Sequence, residues 1–262
     1  MFDLWSISDA CIPEYSFLSG IIGLVKSLQK PSPLFRVVLK PNPSAKKVIF
    51  FLTSYRAPWF IYTFALKTLK KNGYEVVAYD FNDRVLDNDD PTLLPTFVKD
   101  LNQDIQSRVL VYQKSGISIF DGVGSSLGSF LLYNYCTRYP LRKVSLNIVS
   151  YMARVIFTAS DKNIYKIRQR YIDKGYDLAK LEKAWKEIDS PESGKNVKAE
   201  QLLLFTALND KYVSVESANE VIKNIKMSNT KLAIHVNERL GHNTSVLRNV
   251  HSRRLMKFLL VN

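Results

Sequence analysis

The chain has 262 residues, the size of one larger α/β domain, and a chain of this length buries about three quarters of its unfolded surface. Apolar residues make up 46% and charged residues 23%, which excludes a disordered or fibrous chain. Two cysteines exclude a disulfide framework, and 37 basic against 24 acidic residues leave a net charge of +13.

The chain opens Met-Phe-Asp-Leu-Trp-Ser, without the basic segment of a signal peptide. No uncharged apolar run is long enough to span a bilayer. Phe17, Leu18, Ile21, Ile22, Val25 and Leu28 recur at helical spacing and are interrupted by Lys26, so they are read as an amphipathic helix packed on the domain. Leu34 to Lys40 is a first strand, closed by Pro41-Asn42-Pro43. Lys47 to Leu52 (KVIFFL) is almost wholly apolar, as befits a strand covered on both faces of a parallel sheet. A helix over 59–71 stops at Asn72-Gly73. Glu75 to Tyr79 is a strand, 82–91 an Asp-rich loop, 95–109 a helix and turn, and 116–120 (GISIF) a strand. A helix over 127–139 ends at Pro140, and 144–149 is a strand.

Residues 151–200 break this alternation: they are polar, basic and helical, with Leu178, Leu181, Trp185 and Ile188 spaced to bury one face. Sheet pattern resumes at 201–207, followed by a helix over 215–225, a strand over 231–236 and a closing helix over 246–260. The alternation predicts a mostly parallel central sheet with helices on both faces, one domain over 1–262 carrying a helical cap inserted at 151–200.

The chemistry centres on Gly124-Ser125-Ser126-Leu127-Gly128, a G-x-S-x-G between the strand at 116–120 and the helix from 127. A serine on a tight strand-to-helix turn projects its hydroxyl above the carboxyl edge of the sheet. Glycines two positions to either side remove collisions with neighbouring elements, and the helix start supplies amides and a positive dipole end.

On these residues the chain resembles the α/β-hydrolase superfamily, from about residue 34 to the C-terminus. The family order is nucleophile, acid, histidine. Here Ser126 comes first. Asp210, in Leu208-Asn209-Asp210-Lys211-Tyr212, follows the strand at 201–207. His242, in Leu240-Gly241-His242-Asn243, follows the last strand. The resemblance implies a serine hydrolase that cleaves an ester or thioester through an acyl-enzyme on Ser126, with His242 as general base and Asp210 as the orienting acid. A hydroxyl is a poor nucleophile until a base takes its proton, and a neutral imidazole suits that task near neutral pH; the carboxylate fixes the imidazole tautomer.

The rival residues have blander readings. His235 lies within a strand and reads as a packed core residue, His251 as a surface residue beside Arg253 and Arg254. Ser125 lacks a glycine two positions before it, and Asp161 starts the cap. For the oxyanion, the amide of Leu127 is one expected donor. The family's His-Gly after the strand at 47–52 is replaced by Thr53-Ser54-Tyr55-Arg56, leaving the amide of Ser54 or Tyr55, or the Thr53 hydroxyl, as the second. Asp121 is read as capping the turn after the strand at 116–120.

Two other classes fit parts of the pattern. Residues 122–128 scan as a glycine-rich dinucleotide loop, but no acid occurs from 122 to 160 to meet a ribose. A catalytically inactive hydrolase fold acting as a binding module would have no use for all three of Ser126, Asp210 and His242. An acyltransferase would keep the same site. No cofactor and no metal are expected, and the cysteine usage suits a reducing, cytoplasmic setting. The expected partner is a small-molecule ester or thioester. The basic surface favours weak association with anionic surfaces and, without interleaved stacking aromatics, no specific nucleic acid. Oligomeric state is not legible.

Overall fold

A computed structural model describes residues 35–40 and 42–261; the helix expected over 17–28 lies outside the described residues. Seven strands form one sheet in the order β1-β3-β2-β4-β5-β6-β7: β1 (Phe35–Lys40), β2 (Lys47–Leu52), β3 (Tyr74–Phe81), β4 (Ile119–Ser125), β5 (Leu141–Asn147), β6 (Ala199–Ala207) and β7 (Lys231–Asn237). Only β1 runs antiparallel, paired to β3; the other pairs are parallel.

The helices are α1 (Phe60–Lys71), α2 (Leu93–Lys114), α3 (Leu127–Cys136), α4 (Met152–Thr158), α5 (Lys162–Asp173), α6 (Leu178–Ala184), α7 (Val215–Lys226), α8 (His242–Val250) and α9 (Arg253–Leu260). Strand alternation divides the core in two. Val48, Phe50 and Leu52 face the larger layer, built with α2, α3 and the helices between β5 and β6. Ile49 and Phe51 face a smaller one under α1, α8 and α9.

Most elements fall where the sequence placed them, with instructive shifts. The nucleophile strand is β4, not 116–120, so Asp121, Gly122 and Gly124 are strand residues. Asp121 does not cap a turn. It is fully buried and accepts hydrogen bonds from the Tyr74 hydroxyl at 2.6 Å, the Arg142 guanidinium and the Lys143 amide at 3.0 Å, which ties β4 to β5 and, across β2, to β3. The expected closing helix is two helices. Ser252, whose hydroxyl accepts from the Leu255 amide, starts the second one. His235 is not a core residue: β7 is the edge strand, and its half-exposed ring meets Arg254. His251 is half buried rather than on the surface, its Nε2 2.7 Å from the Ile61 carbonyl.

From β2 the chain first steps outward to β3, then returns across β2 to β4. This reversal opens a crevice at the carboxyl ends of β2 and β4, the place where open parallel sheets bind ligands. Among the described residues no helix is long and apolar enough to cross a membrane.

Candidate active site

Ser126 joins β4 to α3 at φ 52° and ψ −115°, a backbone conformation that residues with a side chain rarely hold. The two flanking glycines make the turn possible. A Cβ on Gly124 would lie 2.5 Å from the Gly128 carbonyl oxygen, and one on Gly128 2.2 Å from that of Leu52. The turn is clamped from both sides: the Ser126 amide donates to the Asn147 carbonyl at 2.9 Å and the Gly128 amide to the Thr53 carbonyl at 3.0 Å.

Parallel strands open their following loops on one edge, and that edge gathers the distant residues. His242 Nε2 lies 2.8 Å from Ser126 Oγ, and His242 Nδ1 lies 2.7 Å from Asp210 Oδ2. The second Asp210 oxygen accepts the amides of Tyr212 at 2.8 Å and Val213 at 3.0 Å, so the carboxylate cannot swing away. The His242 and Asp210 side chains are 8% and 1% exposed. With Nδ1–H given to the acid, Nε2 carries the lone pair that faces the serine hydroxyl. Histidine, acid and serine thus form one continuous hydrogen-bonded line.

Solved structures share the fold of this chain. Acylaminoacyl peptidase of Pyrococcus horikoshii matches 92% of the chain at a TM-score of 0.61 and 15% identity. An esterase of Pyrococcus furiosus matches 86% at 0.56 and 17%, covering 90% of that protein. Acetyl xylan esterase 1 of a Thermoanaerobacterium species matches 83% at 0.57 and 15%, covering 79% of its chain. The chain has the α/β-hydrolase fold. It spans less than half of the peptidase, 42% of that chain. No family model and no curated protein matches the sequence.

In this α/β-hydrolase fold Ser126 and His242 border a cavity of roughly 410 Å³, shared with Ser54, Tyr55, Leu127 and Tyr212. Its walls are largely apolar. Ile61, Leu86 and Phe130 come from the main layers, and Met152, Val155 and Ile164 from the helices between β5 and β6. The Tyr212 ring lies 4.5 Å from the imidazole, centroid to centroid, and its hydroxyl is pushed up to about 12 by burial and by Asp161. Asp161 caps α5 and pairs with Lys211 at 2.8 Å. Burial pushes its carboxyl up, but bonds from Lys211, the Asn163 amide and Tyr212 outweigh this and hold it at about 2. It is committed to structure and does not reach the imidazole in place of Asp210.

The expected oxyanion donors divide. Leu127 is the first residue of α3, so its amide has no acceptor within the helix. The Ser54 amide donates instead to the Tyr62 hydroxyl at 3.0 Å, which in turn donates to Ser54 Oγ at 2.8 Å. The Thr53 hydroxyl is also engaged, with the Tyr79 carbonyl at 3.0 Å. Tyr55 lines the cavity. Gly122 and Gly124 are buried strand residues, which leaves no open phosphate loop at 122–128. Among the described residues no cluster of three or more His, Cys, Asp or Glu is placed to hold a metal ion.

Three contributors have little sequence signature. Tyr62 shapes the loop after β2, and its only mark is an aromatic in a helical pattern. Asn147 ends β5 between the nucleophile turn and α8; a lone amide in the apolar run Leu146-Asn147-Ile148-Val149 is the one available clue. Asn249 bonds Asn147 from α8 at 2.9 Å.

Proposed function

We propose that the chain is a serine hydrolase that cleaves an ester or thioester of a small molecule. The observation that carries this reading is the unbroken line Asp210–His242–Ser126, with bonds of 2.7 and 2.8 Å, ending at an apolar cavity. Ser126 Oγ attacks the carbonyl carbon as its proton passes to His242 Nε2. The imidazolium is stabilised by Asp210 and returns the proton to the departing alcohol or thiol. Water, deprotonated by the same nitrogen, then releases the acid from Ser126. The tetrahedral oxyanion sits against the Leu127 amide at the head of α3, with the Tyr55 amide as the second donor.

The apolar walls suit an acyl chain. In this reading the helices over 151–200 are a cap, and Met152, Val155 and Ile164 set the acyl length accepted. The test is a series of p-nitrophenyl esters of rising acyl length, together with labelling by a fluorophosphonate probe. Wild type turns over esters and is labelled, and Ser126→Ala loses both, with kcat falling by about 10⁶. A wild-type chain that neither hydrolyses any ester nor takes the label ends the enzyme reading.

A further inference from the structure

The surface beside the site sorts its residues in a way that folding does not require. α1 presents one stripe to solvent: Phe60, Phe64, Lys67 and Lys71, spaced four, three and four apart. Phe60 is 75% and Phe64 68% exposed, a large cost in hydrated aromatic surface for a helix whose other face already fills the core with Tyr62, Ala65, Leu66 and Leu69. α8 packs beside α1 and adds Leu247, 46% exposed, and Arg248. His251, just past α8, ties the two helices together through its Nε2, 2.7 Å from the Ile61 carbonyl, and its ring lies 5.8 Å from that of Phe64. Ile61 and Leu247 belong to this face and also line the cavity that holds Ser126, so the apolar patch runs to the mouth of the site.

Charge is sorted with it. Residues 55–74 contain Arg56, Lys67, Lys70 and Lys71 and no acid. Residues 239–262 contain Arg239, Arg248, Arg253, Arg254 and Lys257 and again no acid, although the whole chain has 24. Exposed aromatics and an aliphatic residue beside the exposed Lys67, Lys71 and Arg248 are the recognition chemistry of an anionic lipid surface. The rings enter the headgroup boundary while lysine and arginine meet the phosphates. A second copy of this chain would bring like charge onto like charge. Single-stranded nucleic acid would use the rings as stacking platforms but gains nothing from Leu247 and Ile61.

The geometry points to a membrane-docking face made by α1 and α8, which seats the chain on anionic lipid with the mouth of the cavity toward the bilayer. That the bilayer then delivers the acyl substrate rests on the serine-hydrolase reading; the docking itself does not.

The experiment is co-sedimentation of the full-length Ser126→Ala chain with vesicles, so that binding is read without turnover. Vesicles of phosphatidylcholine alone are compared with vesicles containing about 30 mol % phosphatidylserine. The expected result is binding to the anionic vesicles only, weakened by salt. Phe60→Ser with Phe64→Ser, and Lys67→Glu with Lys71→Glu, should each lower the partition coefficient by about tenfold or more. Both pairs point into solvent, so the same changes in the chain with Ser126 intact should leave turnover of a soluble short-chain ester unaltered, which also shows that the variants fold. The proposal is overturned by a chain that ignores anionic vesicles, by binding that both variant pairs retain, or by equal binding to neutral vesicles. It is equally overturned if these residues instead hold a dimer in solution or an oligonucleotide that excludes vesicles. If vesicles bind as expected but no ester is cleaved, the docking face stands and the hydrolase reading falls.

Discussion

Asn147 holds the two halves of the site in register. Its carbonyl accepts the Ser126 amide at 2.9 Å and the Ser129 hydroxyl at 3.0 Å, which fixes the serine turn. Its side chain works on the other partner. Nδ2 donates to the Val246 carbonyl at 3.0 Å and Oδ1 accepts from Asn249 at 2.9 Å, both on the helix that begins at His242. Asn147→Ala keeps the main-chain bonds and removes the two side-chain ones, stranding the Asn249 side-chain amide in a buried place. That loss costs about 1–3 kcal/mol. The expected outcome is a lower melting temperature and, at a temperature where the variant is still folded, fluorophosphonate labelling of Ser126 slowed by at least about tenfold, since misplacing a catalytic pair costs that much or more. Labelling at the wild-type rate in a destabilised protein would reduce Asn147 to a packing residue. Ser126, Asp210 and His242, singled out in the sequence by the family resemblance and by their places at strand ends, lie in one hydrogen-bonded line. Asn147 and Tyr62 escape such reading: an amide or a phenol fits many places, and only the assembled fold shows what it touches.

At the scale of elements, α4 is short and lacks a cap of its own. Its first two amides, of Met152 and Ala153, donate at 2.8 and 2.7 Å to the two oxygens of Asp189, which comes from beyond α6. Asp189 is buried, and burial pushes its carboxyl up to about 7, although the Ala153 and Met152 amides oppose the shift. The sign follows from linkage. A folded-state value above the unfolded one means that the folded chain binds more protons between about pH 4 and pH 7, so stability falls as pH rises through that window. Urea unfolding at about pH 5 and pH 8 should show wild type losing more stability than Asp189→Asn over this interval, because the amide does not titrate. Equal losses would mean that the carboxyl titrates as it does in the unfolded chain. The same region shows where element reading strays. Of Leu178, Leu181, Trp185 and Ile188, whose spacing predicts one buried face, the last three are buried and Leu178 is half-buried, but the partner of α4 lies too far along the chain for any local pattern. β4 runs to Ser125, beyond the expected end at residue 120, for a related reason. Asp121-Gly122-Val123-Gly124 has the composition of a turn, yet its backbone pairs on both sides with β2 and β5, and the buried bonds of Asp121 compensate its charge.

Across the whole molecule, the mostly parallel central sheet was the legible part, since runs such as KVIFFL suit a strand covered on both faces, and loops on one edge can bring residues 126, 210 and 242 together whatever lies between them. How the helices between β5 and β6 are held beside the cavity was not legible, because it depends on charges in loops. Asp87, in what reads from sequence as an ordinary polar loop, accepts from Arg56 at 2.7 Å and pairs with Arg170 of α5. Arg56 follows β2 and lines the cavity, so one carboxylate clasps the loop after β2 to the inserted helices, and its pKa is drawn down, above all by Arg170. The three side chains are 31–40% exposed, so each pair contributes no more than about 1 kcal/mol to stability. The functional effect should be larger than the thermodynamic one. Asp87→Asn leaves two guanidinium groups facing each other without their shared anion, which loosens the wall of the pocket while leaving Ser126, His242 and Asp210 in line. The expected outcome is a stability change within about 1 kcal/mol, kcat nearly kept, and KM for long acyl esters raised several-fold. The difference from wild type should shrink as salt screens the wild-type clasp, because exposed pairs weaken over a Debye length of about 10 Å at 0.1 M and 3 Å at 1 M. A variant with unchanged KM at low salt would show that α5 is held over the site by its apolar contacts alone.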